Sequence, residues 1–398
     1  ETIEAVTVCN LQLHIDAGDF VWPCQGGSSE RHCTWVWEAM CSLRAMLKLG
    51  YFKETRQIID YFFSLQDGGC PPEGEFSSLS GAIGTSGPKW ANATGSALIL
   101  AVDYYECTED SEFLATYLDS ILRAGYWIIG EIRATRRAGN ENSGVMPPCV
   151  ASDGDFGQVI FTDAWSLGGF LRVRNLLKMI GHPAYGEFAE ECRRYTADLQ
   201  RVMDRVTTKE GFINRSYGDD SKVCYGFRFT DTCLDCNLAG FESANGERMK
   251  RYLAWLEDNA FDGFFCSVVS YKNYYIGNNE FAVCRMFMEQ HQWKKAWLAL
   301  QVFARFTMTP DLHVTQERYS ASDSSFIPWQ PNGSQNGRYL ELQIDRFFMP
   351  AGNEIIVYGA FSPEELKKCP SMRGVHTEYG ETFVSIDKDQ AVVVQTSR

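Results

Sequence analysis

The sequence predicts an all-α protein, an (α/α)6 toroid of helical hairpins with a small β-rich segment at its C-terminal end. Three observations carry that expectation. Apolar residues recur at three- and four-residue intervals along most of the 398 residues, which is the spacing of an amphipathic helix. The stripes come in pairs joined by short turns, as antiparallel neighbours require, while successive pairs are separated by long loops rich in Gly, Trp, Asp and Asn. From Glu354 onward the period shortens to two, the pattern of strands. A single hairpin cannot bury both of its faces, whereas a closed ring of six can.

The first stripe is Val36, Met40, Leu43 and Leu47, with Gly50 as its C-terminal stop, and its partner is Ile58, Phe62 and Leu65. Leu98, Ala101 and Tyr105 come next, then a Thr-Glu-Asp turn and cap, then Leu114, Leu118 and Ile121. Phe170, Val173 and Leu177 lead through Gly-His-Pro to Phe188, Cys192, Tyr195, Leu199 and Val202. Weaker stripes run from Met249 to Leu256, Phe281 to Met288, Trp293 to Ala304 and Leu340 to Phe348. About ten helices are legible in this way, two short of a closed ring. The segments EIIVYGAF, ETFVSI and QAVVVQT read as strands, so the expected division is a toroid over 1–350 and a β-rich appendage over 351–398.

Composition narrows the function. A chain that is 45% hydrophobic can bury a large core, and a net charge of -14 leaves no basic field for phosphate backbones, so nucleic acid is excluded as a partner. Its longest apolar runs, such as Ala97 to Val102, fall far short of the roughly 20 residues that span a bilayer. Residue 1 opens without a basic and apolar leader, and the 14 cysteines lack the spacing of a secreted scaffold. The expectation is a cytoplasmic protein with free thiols. The alternative, secretion after loss of a leader or upstream domain, draws on the sequons at Asn92, Asn214 and Asn332. Cys233 and Cys236 form a C-x-x-C with no second pair, so no zinc site is expected. The sequence carries no mark of oligomeric state.

Aromatic residues make up 14% of the chain, and Trp22, Trp35, Trp37, Trp90, Trp165 and Trp329 fall in or beside the long loops, together with carboxylates and amides. An aromatic face stacks on a sugar ring while Asp, Glu, Asn, Gln and Arg bond its hydroxyls, so the mixture suits an oligosaccharide or glycoside substrate. Glycoside hydrolysis needs two carboxyl groups and no metal or organic cofactor. The loop VMPPCVASDGDFGQVIFTDAW offers Asp153 and Asp155. Thr162 or Asp163 is expected to cap the helix that follows, which leaves Asp153 and Asp155 without a structural duty. The loop VTQERYSASDSSFIPWQPNGSQNGR offers Glu317, in the company of Trp329 and Arg338.

The segment from Trp35 to Ile128 resembles the bacterial glucoamylase-like glycoside hydrolases, within the six-hairpin glycosidases that include trehalases and rhamnosidases. The residues that carry it are TWVWEAMCSLRAMLKLGY, the following helix ending LQDGG, and ATGSALILAVDYYECTEDSEFLATYLDSILRAGYWI. The resemblance implies that the early loop holds the terminal sugar. Where that family has Trp-Pro-Arg-Asp, this chain has Trp35, Val36, Trp37 and Glu38, so the Arg is lost and the Asp has become Glu. SDGDFGQVIFTDAW is similar to the segment that runs from the general acid into the next helix. Counting back from Thr162, the acidic position falls on Asp153, with Asp155 the alternative, and Glu317 takes the position of the base.

The reaction implied is hydrolysis by an inverting, exo-acting glycosidase, with Asp153 as acid and Glu317 as base. Trp35, Trp37, Glu38, Trp90, Asn92, Trp165, Trp329 and Arg338 are the expected substrate-binding residues. Two other functions fit the same toroid. One is a lyase, sugar epimerase or unsaturated-uronide hydrolase acting on acidic sugars. It would use His32, His182, His291 or His313 with Arg31, Arg318 and Arg338. The other is a carbohydrate-binding protein without catalysis.

Overall fold

Helix ends carry strong local signals in this chain, and at Asp110 and Gly50 they act as expected. Asp110 caps the longest helix by accepting a hydrogen bond from the Phe113 amide at 2.9 Å. Gly50 and Gly139 end their helices in the left-handed region, with φ of 87° and 69°. The computed structural model describes residues 2–16, 21–23, 33–152, 155–209, 216–217, 236–258, 274–309, 312–320 and 331–398.

In chain order the helices are α1 (Thr2–Gln12), α2 (Val36–Lys48), α3 (Phe52–Ser64), α4 (Ala93–Thr108), α5 (Ser111–Ala138), α6 (Ile160–Met179), α7 (Tyr185–Val206), α8 (Glu247–Asp258), α9 (Gly277–Glu289), α10 (Trp293–Phe306), α11 (Gly333–Asp345) and the single turn α12 (Pro363–Leu366). Burial sorts them. In α2 the residues from Val36 to Leu43 are all buried, and in α4 those from Ala93 to Val102 are as well. In contrast, α7 buries one stripe, Phe188, Cys192, Tyr195, Leu199 and Val202 among it. The first kind forms the inner wall of a helical toroid and the second its outer layer.

Side-chain contacts fix the direction of the inner helices. Near their N-terminal ends, Trp37 of α2 meets Phe161 and Trp165 of α6, and Arg338 of α11 meets Phe281 of α9. Near their C-terminal ends, Arg44 of α2 meets Asp103 of α4, and Arg285 of α9 meets Asp345 of α11. Starts lie with starts and ends with ends, so α9, α11, α2, α4 and α6 run parallel around the ring. Ala239 packs on Gly168 of α6 and Asn237 donates to Glu289 of α9, which puts the segment from 236 in the place between those helices. α1 packs on α11, so the chain's first and last long helices make one hairpin of the ring. A Cβ on Gly95 would stand 2.2 Å from the Trp165 carbonyl oxygen, and one on Gly337 2.4 Å from that of Cys41. The inner helices touch there backbone to backbone, which only glycine permits.

Strands edge the helices. β1 (His14–Asp16) pairs with β2 (Val21–Pro23), β3 (Cys149–Ser152) with β4 (Asp155–Gly157), and β5 (Tyr274–Ile276) with β6 (Arg318–Ser320), all antiparallel. β7 (Phe348–Ala351) pairs with β8 (Glu354–Val357), so this hairpin spans residues 350 and 351. β9 (Met372–Thr377), β10 (Gly380–Ile386) and β11 (Val392–Thr396) form a sheet of order β11-β10-β9. β8, β10 and β11 fall on the three segments with alternating pattern, whereas β7 and β9 had no such signal. Met372, Val375 and Val384 of this sheet share a small core with Ile344 and Phe348.

The C-terminal ends of the inner helices are packed with ions. Lys48 Nζ reaches Glu341 Oε1 at 2.8 Å and Asp345 Oδ1 at 3.3 Å, and Arg44 reaches Glu341 at 3.4 Å. Both oxygens of Asp103 are taken, at 2.9 Å each, by Arg44 and Arg172. Burial works against a charge on Glu341, but Arg44, Lys48 and Arg285 outweigh it and hold its carboxyl well below the usual range. Arg44, Lys48, Asp103, Arg172, Arg285 and Asp345 line a cavity of about 130 Å³ that Pro350, His376, Thr377 and Glu378 cover from the C-terminal segment. This end is the floor of the toroid.

Candidate functional site

At the opposite end, the loops before each inner helix bring aromatic residues together. Trp35, the residue before α2, lies 6.5 Å from Trp90, which lies 6.3 Å from Phe161 at the start of α6. Phe161 is 5.1 Å from Trp37, and Trp37 is 5.8 Å from Trp165 one turn further along α6. All of these pairs meet edge to face, the arrangement that ring quadrupoles favour. The Arg338 guanidinium closes the cluster, 5.3 Å from the Trp37 ring and 5.0 Å from that of Phe281.

Trp35, Trp37, Trp90, Trp165 and Arg338 thus fall in one cluster, and they are buried, Trp165 to 1% exposure and Arg338 to 3%. Glu38 is buried beside them in the first turn of α2, where the helix dipole favours an anion. Burial raises the Cys41 thiol to about 11, with Arg338 and Arg44 pulling it down and Glu341 and Glu38 pushing it up. Cys41 therefore senses the charge of both Arg338 and Glu38. Asn92 precedes α4 and is 1% exposed.

Several of these polar groups are unanswered. The indole N–H groups of Trp37 and Trp165, both ends of the Asn92 amide and Nε of Arg338 meet no hydrogen-bond partner among the described residues. The same holds for both ends of the Gln335 amide, on α11 one turn before Arg338 and fully buried. A buried polar group without a partner costs about 1–3 kcal/mol. Such groups gathered at one end of a ring are what a site for hydroxyl-rich ligands requires.

The segments that carry the candidate carboxylates attach to this end on two supports. Asp153 lies outside the described residues, between β3 and β4, and Asp155 is described in its backbone alone, as the first residue of β4. The hairpin β3–β4 attaches to the aromatic cluster because the Val150 carbonyl accepts from the Ala91 amide at 3.1 Å, next to Trp90. Glu317 is half-buried and sits between Gln316, whose amide donates to the Thr307 carbonyl at 2.9 Å, and β6. β6 pairs with β5, which runs straight into α9. Thr315 fastens the same loop to α11 through the Asn332 carbonyl at 2.9 Å and Asn336 Oδ1 at 2.5 Å. Trp329 lies outside the described residues.

The helix cap expected at Thr162 or Asp163 is not there. The N-cap of α6 is Val159, without a side-chain bond, and Asp163 is buried. Its carboxylate turns away from its own helix end and accepts from the Met146 amide, Tyr195 and Tyr217. Burial raises this carboxyl to about 7, against those hydrogen bonds. Thr162 is taken up with Cys149, 3.7 Å from its sulfur.

Sequence reading missed Gln335 and Glu280. Glu280 is fully buried in the first turn of α9, beside Phe281. Its signal, had it been used, is the one Glu38 shows: a carboxylate in the first turn of a helix that follows a long loop. Of the histidines, His182 and His291 lie in the short turns after α6 and α9, away from the aromatic cluster, and His313 in the loop before Thr315. His32, Arg31 and the Arg318 side chain lie outside the described residues, as do Asn214 and Cys233. Asn92 and Asn332 are each 1% exposed, and Asn332 caps α11 by accepting from Gln335 at 2.9 Å, so neither sequon is open to glycosylation in the folded chain. Among the described residues, Cys9, Cys41, Cys70, Cys107, Cys149, Cys192, Cys284 and Cys369 are free thiols. No cluster of three or more His, Cys, Asp or Glu able to hold a metal, and no helix long and apolar enough to cross a membrane, occurs among those residues.

No protein-family model and no curated protein matches the chain. Solved structures do. A wild-type glycosidase superimposes with a TM-score of 0.61 at 12% identity, over 86% of this chain and 96% of that one. A Streptococcus pneumoniae metal-independent α-mannosidase, in a non-productive complex with α-1,6-mannobiose, gives 0.55 at 10% identity, over 86% and 92%. An inactive variant of an α-1,6-mannanase of a Salegentibacter species, bound to α-1,6-mannotriose, gives 0.51 at 9% identity, over 86% and 97%. At such identities the likeness is one of fold, and the fold is the helical toroid.

Proposed function

We propose that this chain is a glycoside hydrolase whose site is the aromatic end of the toroid, with Glu317 as base and Asp153, or Asp155 beside it, as acid. The observation that carries the reading is the gathering of Trp35, Trp37, Trp90, Trp165, Asn92, Gln335 and Arg338 where the Glu317 loop and the β3–β4 hairpin both attach. Toroids of this fold that bind α-1,6-mannobiose and α-1,6-mannotriose, and a glycosidase variant in complex with glucose, support a hexopyranoside as substrate. The reaction is read as inverting and exo-acting. The acid protonates the leaving oxygen, the base draws a proton from water on the other face of the ring, and the two carboxyls stand about 6.5–9.5 Å apart. Arg338 and the buried amides bond the sugar hydroxyls, and the indoles cover its apolar face.

Turnover of methyl and aryl α-mannosides and α-glucosides by the parent, Glu317→Gln, Asp153→Asn and Asp155→Asn tests this. Loss of the base, and of one of the two aspartates, is expected to lower kcat by about 10²–10⁴-fold with KM little changed. The first sugar released is expected to have the inverted anomeric configuration by NMR. Full turnover in all three variants on a glycoside that the parent cleaves would sink the assignment.

A further inference from the structure

We infer that Asp163 is the positioning residue for the candidate acid: it ties both legs of the β3–β4 hairpin to the first turn of α6. The inference rests on the reading of Asp153 or Asp155 as the acid.

The hairpin is short and bulged, with Cys149 opposite Gly157 at its open end and the bulge between Val150 and Ser152. Two strands of this length do not hold their shape alone. Asp163 supplies what they lack. Oδ1 accepts from the Met146 amide at 2.8 Å, on the leg that enters β3. Oδ2 accepts from the Tyr217 hydroxyl at 2.9 Å. Tyr217 in turn belongs to the other leg, because its amide donates to the carbonyl of Gln158, the residue after β4, at 3.0 Å. The Gln158 side chain crosses back to the Met146 carbonyl at 2.9 Å. Both legs and the helix start therefore meet at one fully buried carboxylate. Nothing in its own helix needs it, since α6 begins at Val159 without a side-chain cap.

The third bond supplies the control. Oδ1 also accepts from the Tyr195 hydroxyl, at 2.6 Å, and Tyr195 sits on α7 with no hydrogen bond to the hairpin among the described residues. Tyr195→Phe and Tyr217→Phe remove the same chemical bond from the same buried group, and only the second loosens a leg. A purely structural Asp163 predicts equal effects. A positioning Asp163 predicts a split.

The experiment compares the two variants on a methyl glycoside, whose leaving oxygen needs a proton, and on the dinitrophenyl glycoside of the same sugar, whose leaving group departs without one. Both variants are expected to lose similar melting temperature. Tyr217→Phe alone is expected to lower kcat on the methyl glycoside about 10-fold, with KM within about twofold and the dinitrophenyl rate nearly kept. Hydrogen exchange in β3 and β4 is expected to quicken in Tyr217→Phe and not in Tyr195→Phe. Asp163→Asn, which keeps an acceptor for Met146, is expected to retain more methyl-glycoside turnover than Asp163→Leu. Equal behaviour of the two tyrosine variants, in rate and in exchange, overturns the inference while the acid reading stands on Asp153→Asn and Asp155→Asn. If both of those aspartate variants keep full methyl-glycoside turnover, the acid reading fails and this inference with it.

Discussion

The two ends of the same inner helices treat their buried polar groups in opposite ways. At the floor, Arg44, Lys48, Arg172 and Arg285 are matched to Asp103, Glu341 and Asp345. At the aromatic end, Asn92, Gln335, Trp37, Trp165 and one nitrogen of Arg338 keep polar atoms that no described residue answers. Packing alone does not separate the ends, because α2, α4 and α11 are buried along most of their length. The difference lies in satisfaction. A ring that closes one end mainly with ion pairs, Nε of Arg346 being an atom there that no described residue answers, can hold more unanswered groups at the other, and those groups are what a polar ligand meets.

The comparison breaks most visibly at Glu341. Glu341→Gln leaves Lys48 and Arg44 facing a neutral amide in a buried network, and a loss of about 3–5 kcal/mol is expected in urea unfolding. Turnover of the folded protein is expected to fall less than in an Arg338 variant, since Glu341, one turn after Arg338 on α11, is bound to Lys48 and Arg44. A midpoint that hardly moves would show that the floor does not hold the ring together. Arg338→Met is the mirror case. It exchanges a guanidinium whose Nε has no partner among the described residues for an apolar chain of similar reach, so stability is expected to change by about 1 kcal/mol or less. Activity should fall by about 10–100-fold in kcat/KM, which is about 1.4–2.7 kcal/mol of lost transition-state binding. Gln335→Leu is expected to be neutral or stabilising by up to about 1 kcal/mol in the same assay, because a buried amide with both ends unanswered among the described residues is replaced by an apolar group.

The floor and the aromatic end were unequally legible in the sequence. Tryptophans beside loops announced the aromatic end, because aromatic rings near breaks in helical periodicity stand out in one dimension. The floor did not show: Arg44, Lys48, Asp103, Glu341 and Asp345 read as charges on helices, and a charge on a helix reads as solvent-facing until its partner from another hairpin is known. The helix α1 was missed for a related reason. Its buried residues, Val6, Thr7 and Asn10, make no apolar stripe, and Asn10 earns its burial from a bond with Ser42 of α2 at 2.6 Å. Asp163 was expected, as the alternative to Thr162, to cap α6, because Asp near a helix start usually does. Its true partners, Tyr195 and Tyr217, lie 32 and 54 residues away, and no local rule reaches that far. Gly50 and Asp110, whose duties are local, were read correctly.

The smallest effect compares the ends by titration. Burial raises Asp163 from its ordinary 3.8 to about 7, and no cation opposes the shift. At the floor, Glu106 rises from 4.5 to about 7, first through burial and then through Asp103 and Glu378, against Arg172 and Arg398. In each case the folded protein keeps a proton that the unfolded chain has given up. The stability contributed is therefore complete below the unfolded value and is lost as pH rises through about 7. Between about pH 5 and pH 8 the melting temperature of the parent is expected to fall. Asp163→Asn and Glu106→Gln should each make that fall shallower, and the double variant should show the sum, because the two groups stand at opposite ends of the ring with no shared partner. Glu341 titrates far below this window, so Glu341→Gln should lower the whole curve and leave its slope unchanged. A slope altered by Glu341→Gln and untouched by the other two would reverse the assignment of which carboxyls in this ring are protonated near neutrality.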